Sequence, residues 1–247
     1  MAFIDEVAEV ARKTMTLFFM VDKSGSMFGQ KIGAVNDAVT NVLPIISDIS
    51  DTNPDAEIKV AAMEFSNGVD WLYNTPKAAS EFIWQDVDAS GLTSLGAACL
   101  ELNSKLSRSG FMQTASGSFA PVIILLSDGE PTDDYIGGLS ALKANKWFKN
   151  AIKIAIAIGD DANTDTLAEF TGSKEAIFYV HNIEALKQVI RIVAVTSSQI
   201  GSKSSNAGAT TKQEQVQAEI KDQISDVEGA QTAEENAANI DNYDDWA

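Results

Sequence analysis

Apolar residues along this chain fall into alternating strand-like runs and helix-like stripes. Thr16-Leu17-Phe18-Phe19-Met20-Val21 is a continuous run closed by Asp22, as expected of a strand buried on both faces. Ile32, Val35, Val39, Val42, Leu43, Ile46 and Ile49 then recur at steps of three and four, which predicts a helix. Pro44 lies inside that stripe and predicts a kink or a split there. Ile58 to Phe65 and Val69 to Tyr73 predict two strands joined by the tight turn Ser66-Asn67-Gly68, a hairpin that supplies one antiparallel edge strand. A second helical stripe, Leu95, Cys99, Leu102 and Leu106, leads to a strand over Val122 to Leu126. A helix around Leu139 to Phe148, a strand over Ile152 to Ile158, a short helix from Thr164 to Phe170, a strand over Ala176 to Val180 and a helix over Ile183 to Val195 follow. This alternation predicts an α/β fold: a mostly parallel sheet with helices on both faces.

The pattern changes near residue 199. Residues 1–15 form an N-terminal segment, 16–198 the α/β domain, 199–211 a linker rich in Gly, Ser and Asn, and 212–247 an acidic tail. Within that tail Val216, Ile220, Ile224 and Val227 keep helical spacing, which suggests a short helix docked on the domain, on a partner or on a second copy, with a disordered solubilising tail as the competing expectation. From Gln199 onward there are three basic residues against ten acidic ones, a net charge of −7 out of −17 for the whole chain.

That charge narrows the function. With 18 Lys+Arg against 35 Asp+Glu, the chain is ill suited to gripping a phosphate backbone or an anionic membrane, so neither nucleic acid nor membrane is expected as partner. The single cysteine, Cys99, forms no internal disulfide, and one histidine, His181, cannot build a Cys/His zinc cage. Any metal must therefore be held by oxygen, which favours Mg²⁺, with Ca²⁺ or Mn²⁺ as alternatives. The acidic start from Met1 to Glu9 is unlike a secretion signal, and the longest apolar runs fall short of the ~20 residues of a membrane span, so a soluble, cytoplasmic protein is expected.

Three segments place oxygen-bearing side chains where a strand ends or a helix begins. Asp22-Lys23-Ser24-Gly25-Ser26 follows the first strand, Gly91-Leu92-Thr93-Ser94 precedes the second helical stripe, and Ser127-Asp128-Gly129 follows the strand at Val122. Open α/β sheets bind ligands outside the carboxyl ends of their strands. Ser24 and Ser26, with Gly25 between them to relax the backbone, are spaced to aim two hydroxyls at one point, and Asp22, Asp128 and Thr93 complete an oxygen set suited to a hard dication.

This constellation resembles the von Willebrand factor A domain with its metal-ion-dependent adhesion site, the likeness running from about Thr16 to Ser198. The resemblance implies a Rossmann-like fold, a metal bound by Asp22, Ser24, Ser26, Thr93 and Asp128, and a protein partner whose Asp or Glu completes the metal's shell, without catalysis. Among intracellular members, the compact form with Met27 after the motif is most similar to bacterial tellurite-resistance proteins of the TerY type. That likeness implies a scaffold or sensor in a stress response, with a kinase or phosphatase as partner. The rival expectation is a Mg²⁺-dependent phosphoryl-transfer enzyme using Asp22 as nucleophile, but such enzymes usually carry a second Asp two residues on, where this chain has Ser24. Oligomeric state is not legible.

Lys23, Met27, Phe28, Leu92, Glu130, Pro131 and Tyr135 are expected to rim the ion and to help choose the partner, with inward packing as the competing role for Met27 and Phe28. His181 is expected to serve structure, Cys99 to be a core thiol, and Trp71 and Tyr73 to pack on one face of the edge strand. Asp133, Asp134, Asp160 and Asp161 are expected as solvated loop acids, and Asp244 or Asp245 of the tail as a carboxylate able to cap the metal within the chain or in a neighbouring copy.

Overall fold

The structure is a computed structural model that describes residues 12–113, 117–128, 130–159, 162–204, 210–232 and 235. The first apolar run becomes β1 (Lys13–Asp22), which lies at the centre of the sheet. It pairs in parallel along its whole length with β2 (Ala56–Phe65) and, on its other side, with β5 (Val122–Ser127). The sheet continues through β6 (Ile152–Ile158) and β7 (Ile177–Val180), both parallel. On the far side of β2 lie β3 (Val69–Trp71) and the two-residue β4 (Lys77–Ala78), both antiparallel to it. The expected hairpin is therefore present, with a strand that ends at Trp71 rather than Tyr73.

Side chains of β1 alternate between two cores, as a pleated strand requires. Met15, Leu17, Phe19 and Val21 face α1 (Gln30–Thr52) and α6 (Ile183–Gly201). Phe18 and Met20 face α2 (Leu95–Lys105), α3 (Tyr135–Ala144) and α5 (Thr164–Thr171). All of these β1 residues are fully buried, and from Leu17 to Val21 every position of the strand is apolar until Asp22.

Two expectations about helices are sharpened or corrected. Of the kink or split expected at Pro44, the split does not occur: helix α1 runs unbroken from Gln30 to Thr52. Pro44 and Thr40, whose carbonyl loses its partner, both lie on the exposed side, where water can replace the missing bond, while Leu43 and Ile46 hold the inner face to the core. The helix expected around Leu139 to Phe148 is instead two, α3 and α4 (Lys146–Asn150). Asn145 breaks it: its backbone is extended, its side-chain oxygen accepts from Trp147 N–H at 2.8 Å, and its amide donates to Leu106 O at 2.9 Å.

Beyond residue 195 the chain adds more to the domain than its composition suggests. Helix α6 continues to Gly201, where a Cβ would stand 2.9 Å from Val122 Cγ2, so the helix end lies flush against β5. Helix α7 (Lys212–Ile224) opens with a capping box between Thr211 and Glu214 and buries Val216, Ile220 and Ile224 in the core shared with α6. Gln213 at its start accepts from Lys153 N–H at 2.7 Å and donates to Lys153 O at 3.0 Å, satisfying β6 where β7 does not reach. Strand β8 (Ala230–Thr232) then pairs antiparallel with β7 and closes that edge. Of the three destinations open to the tail helix, the structure shows the domain itself. Asp244 and Asp245 lie outside the described residues, as do Gly129, Asp160 and Asp161. Among the described residues no helix is long and apolar enough to cross a membrane.

Strand order reverses beside β1: the chain leaves it through α1 to β2 on one side, while β5 lies on the other. The crevice at the carboxyl ends of β1 and β5 is the switch point of the sheet.

Candidate metal centre

Asp22 is the last residue of β1 and is fully buried at that switch point. One carboxylate oxygen accepts from Ser24 N–H at 2.8 Å, and the other accepts from the Ser127 hydroxyl at 2.6 Å. Burial dominates its acidity, pushing the carboxyl up from 3.8 to about 6; the bonds from Ser127 and Ser24 lower it, and the neighbouring Asp128 charge raises it.

From Asp22 the chain turns through a short 3₁₀ helix, Gly25–Met27, which brings the Ser24 and Ser26 hydroxyls to 3.0 Å from each other. Ser24 is buried and Ser26 exposed, so the pair leads from the floor of the crevice to its mouth. Met27, fully buried, anchors the turn from below. Gly25 does not relax this turn through an unusual dihedral. Its N–H donates to Gly91 O at 3.0 Å, and the positive φ values belong to Gly29 (81°) and Gly91 (82°). At Gly91 a Cβ would also meet the Asn67 side chain at 2.7–2.8 Å, so glycine is required there twice over.

Thr93, nearly buried, sits in the loop before α2, which is laced to both neighbours. Ser90 N–H donates to Lys23 O at 2.7 Å on one side. On the other, Thr132 N–H donates to Thr93 O at 2.9 Å while Thr93 N–H donates to the Thr132 hydroxyl at 3.1 Å. Asp128 follows β5 and is also nearly buried; its carbonyl accepts from Asn163 N–H at 2.6 Å and its carboxylate makes a long 3.5 Å contact with Glu130 N–H.

Close helix packing holds the Thr93 and Asp128 loops together. A Cβ on Gly96 would lie 2.4 Å from Asp134 O and one on Gly138 2.3 Å from Gly96 O, so α2 and α3 touch backbone to backbone. Asp133 and Asp134 are not merely solvated acids. Asp133 accepts from Gly96 and Ala97 N–H, both at 2.8 Å, capping α2 from outside its own segment, and Asp134 caps α3 by accepting from Gly137 N–H at 3.1 Å.

The expected rim is divided by the structure. Phe28 and Leu92 are exposed at 78 % and 60 %, whereas Met27 is core. Tyr135 is corrected: it is buried under α3 with its hydroxyl donating to Thr166 O at 2.7 Å, and burial pushes its phenol well up. Lys23 forms an ion pair with Glu64, Glu130 is exposed and Pro131 is half-buried. His181 is buried at the β7–α6 junction, its backbone N–H donating to Gly229 O at 2.8 Å. Cys99 is a buried thiol pushed up to about 12, mainly by burial, and is held protonated. Trp71 packs edge-on against Phe18 and Phe111 and donates to Glu101 at 2.9 Å, whereas Tyr73, beyond the end of β3, packs on Phe82 in the opposite core, so the one shared face expected of them is corrected.

Ser127 is the contributor that sequence reasoning passed over. In the parallel register Val21 lies beside Leu126, so the residue after each, Asp22 and Ser127, are neighbours; aligning the ends of the two apolar runs would have shown it.

The donors fit a hard cation. Among the described residues no group of three or more His, Cys, Asp or Glu side chains comes together, so the donors beside Asp22 and Asp128 are the hydroxyls of Ser24, Ser26 and Thr93, an oxygen set that suits a hard divalent ion. Burial chiefly, and the Asp128 charge to a lesser degree, raise the proton affinity of the Asp22 carboxylate.

An open α/β sheet carrying a hydroxyl-and-carboxylate centre at its switch point defines a ligand-binding domain of the Rossmann-like class. Residues 16–192 match the von Willebrand factor type A domain, and the chain belongs to that family. It is similar to mouse inter alpha-trypsin inhibitor heavy chain 4, at 30 % identity over 139 residues, 53 % of this chain and 14 % of that protein. In fold it resembles a von Willebrand factor type A protein from Catenulispora acidiphila (18 % identity, TM-score 0.55, 76 % of this chain and 43 % of that one). It also resembles the pilus adhesin SpaC from Lactobacillus rhamnosus GG (16 %, 0.59, 76 % and 30 %). A third similar structure is proximal thread matrix protein 1 from the mussel byssus with a zinc-occupied MIDAS motif (14 %, 0.56, 76 % and 49 %). The chain thus spans less than half of each of these proteins. Domains of this family often act as metal-dependent protein-interaction modules.

Proposed function

We propose that this chain is a divalent-metal-dependent protein-binding module. The observation that carries the proposal is the Ser24–Ser26 hydroxyl pair, 3.0 Å apart and hung from Asp22, at a crevice where a second buried carboxylate, Asp128, and the Thr93 loop meet. Ser24, Ser26, Thr93, Asp22 and Asp128 would hold the ion, and Mg²⁺ suits neutral hydroxyls with few carboxylates. The zinc-occupied motif of the mussel protein supports a divalent ion. When bound, the metal supplies a Lewis-acidic position that an Asp or Glu of a partner protein fills. Asp22 and Ser127 hold the loops in register, and the buried Met27 fixes the height of the serine turn.

Phosphoryl transfer through Asp22 is the weaker proposal. Its carboxylate is fully buried with both oxygens accepting hydrogen bonds, and Ser24 stands where such enzymes usually carry a second Asp. The likeness to TerY-type proteins, resting on the motif followed by Met27, extends the proposal to a cytoplasmic bacterial stress-response scaffold with a kinase or phosphatase as partner.

Calorimetric titration of Mg²⁺ into the protein and into Asp128→Ala tests the metal; incubation with a generic phosphoester and Mg²⁺ tests the rival. One-site binding lost in the variant, with no turnover, is expected. Turnover that disappears in Asp22→Ala would reverse the order of the two proposals.

A further inference from the structure

Two glutamines one turn apart on α7 are used differently. The Gln213 amide accepts from Lys153 N–H at 2.7 Å and donates to Lys153 O at 3.0 Å, whereas Gln217, only 7 % exposed, holds an Nε2 with no hydrogen-bond partner. An unpaired buried amide is unfavourable for the fold, and an apolar residue of similar size would avoid that cost beside Val216 and Ile220. Gln217 lines a cavity of about 520 Å³, a volume in the range of small-molecule sites. Lys174 and Glu175, in the short turn before β7, form one wall, Glu214 and Lys221 of α7 form the other, and Thr232 of β8 closes it. Gln217 and Thr232 are buried and make the floor, while the four charged residues are exposed and make the rim. The cavity stands at the amino end of β7, away from the carboxyl ends of β1 and β5, and α7 and β8 lie beyond the residues 16–192 that match the family.

The groups around the floor favour an anion of single charge. Glu214 is turned onto the start of its own helix, where Thr211 N–H donates to it at 2.7 Å, and Glu235 accepts from the Thr232 N–H and hydroxyl, both at 2.8 Å. Those bonds hold both carboxyls below the usual range, with the Lys221 charge aiding at Glu235. Lys174 meets Asp165 at 3.3 Å, a pair so exposed that it competes weakly with another anion. A ligand therefore meets the Lys174 and Lys221 ammonium groups and the Gln217 NH₂, which rotation about the soft last torsion of that side chain carries to the cavity. Those donors suit the two oxygens of one carboxylate, and Glu175 and Glu214 on the rim repel a second negative charge. A peptide strand added to β8 would find Ala230 N–H bonded to Val227 O at 3.1 Å and Thr232 N–H bonded to Glu235, so strand addition is disfavoured.

We propose that this cavity binds a small organic acid as its monocarboxylate, with Gln217, Lys174 and Lys221 holding the carboxylate and the apolar body resting on Ala218 and the aliphatic stems of the lysines. The site is independent of the metal and of the protein partner proposed above.

The test titrates benzoate into the ¹⁵N-labelled full chain and follows the side-chain NH₂ signal of Gln217, assigned by its loss in Gln217→Met. Benzamide serves as the uncharged control and inorganic phosphate as the more highly charged one. A saturable shift with a Kd of about 1 mM is expected for benzoate, the same in Mg²⁺ and in EDTA, with little change for either control. Lys174→Gln and Lys221→Gln, both at exposed positions, should each weaken benzoate about fivefold. Gln217→Met should abolish the saturation-transfer signal of benzoate and raise the Tm of the unliganded chain by about 2–6 °C, since it removes the unpaired amide. A benzamide shift as large as that of benzoate, no benzoate shift at Gln217, or lysine variants that bind as tightly as wild type would overturn the site. A lower Tm for Gln217→Met would overturn it too, because the amide would then serve the fold.

Discussion

Replacing Asp22 with asparagine removes the charge that the fold holds out of water while keeping the shape of the side chain. The substituted amide still offers an oxygen to Ser24 N–H, and its NH₂ group can donate to Ser127, whose hydroxyl lies 2.6 Å away in the wild type. The carboxyl is pushed up from 3.8 to about 6, which corresponds to about 3 kcal/mol of cost in burying the anion. The folded state thus binds this proton more tightly than the unfolded state. Wild-type stability therefore falls, relative to the variant, as pH rises from about 4 to about 6, and the difference is flat above that. Burying a neutral amide recovers most but not all of this cost, so in EDTA at about pH 7.5 Asp22→Asn is expected to be about 2 kcal/mol more stable, roughly 4–8 °C in Tm. Urea unfolding followed by circular dichroism at several pH values, with EDTA and with Mg²⁺, measures it. Saturating Mg²⁺ should then reverse the order, because only the charged side chain gains from the ion. A variant less stable than wild type in EDTA, by an amount independent of pH, would refute the electrostatic account of Asp22.

The other expectations concern the frame around the site. Ser26→Ala, at an exposed position, should leave Tm within about 1 °C and weaken Mg²⁺ binding about tenfold, as calorimetry would show. Asp133→Ala removes the carboxylate partner of two α2 N–H groups and should cost about 1–2 kcal/mol in urea unfolding. Gly138→Ala sets a Cβ 2.3 Å from a backbone oxygen and should destabilise by more than about 3 kcal/mol, with soluble yield falling accordingly. Ile220→Ala, in the docked α7, should cost about 2–4 kcal/mol, whereas a tail independent of the domain would show no change in the cooperative transition.

Strands and the loops that carry the candidate donors were legible because β1 and β5 are buried on both faces, so unbroken apolar runs end abruptly at Asp22 and just before Ser127 and Asp128. Periodicity could not show how Pro44 would be tolerated, since that depends on which side of α1 meets water. Nor could it show that Asn145 would end α3, because the partners that reward the break, Asn103 and Leu106, are distant in sequence. The role of the tail was hidden for a similar reason. Val216, Ile220 and Ile224 state that a helix has an apolar face, and only the fold states what covers it. At the site, Asp22, Ser24, Ser26, Thr93 and Asp128 stood out by residue type and position. The braces Ser127, Thr132 and Asp133, together with the glycines at 96 and 138, act through contacts between segments and carry no local signal.

Anomalous scattering from crystals soaked in Mn²⁺ would show whether the crevice between β1 and β5 holds an ion. A single strong peak is expected within bonding distance of the Ser24 and Ser26 hydroxyls, beside Thr93 and Asp128, and it should disappear in Asp128→Ala. A peak elsewhere on the protein, with this crevice empty, would contradict a metal centre at the switch point.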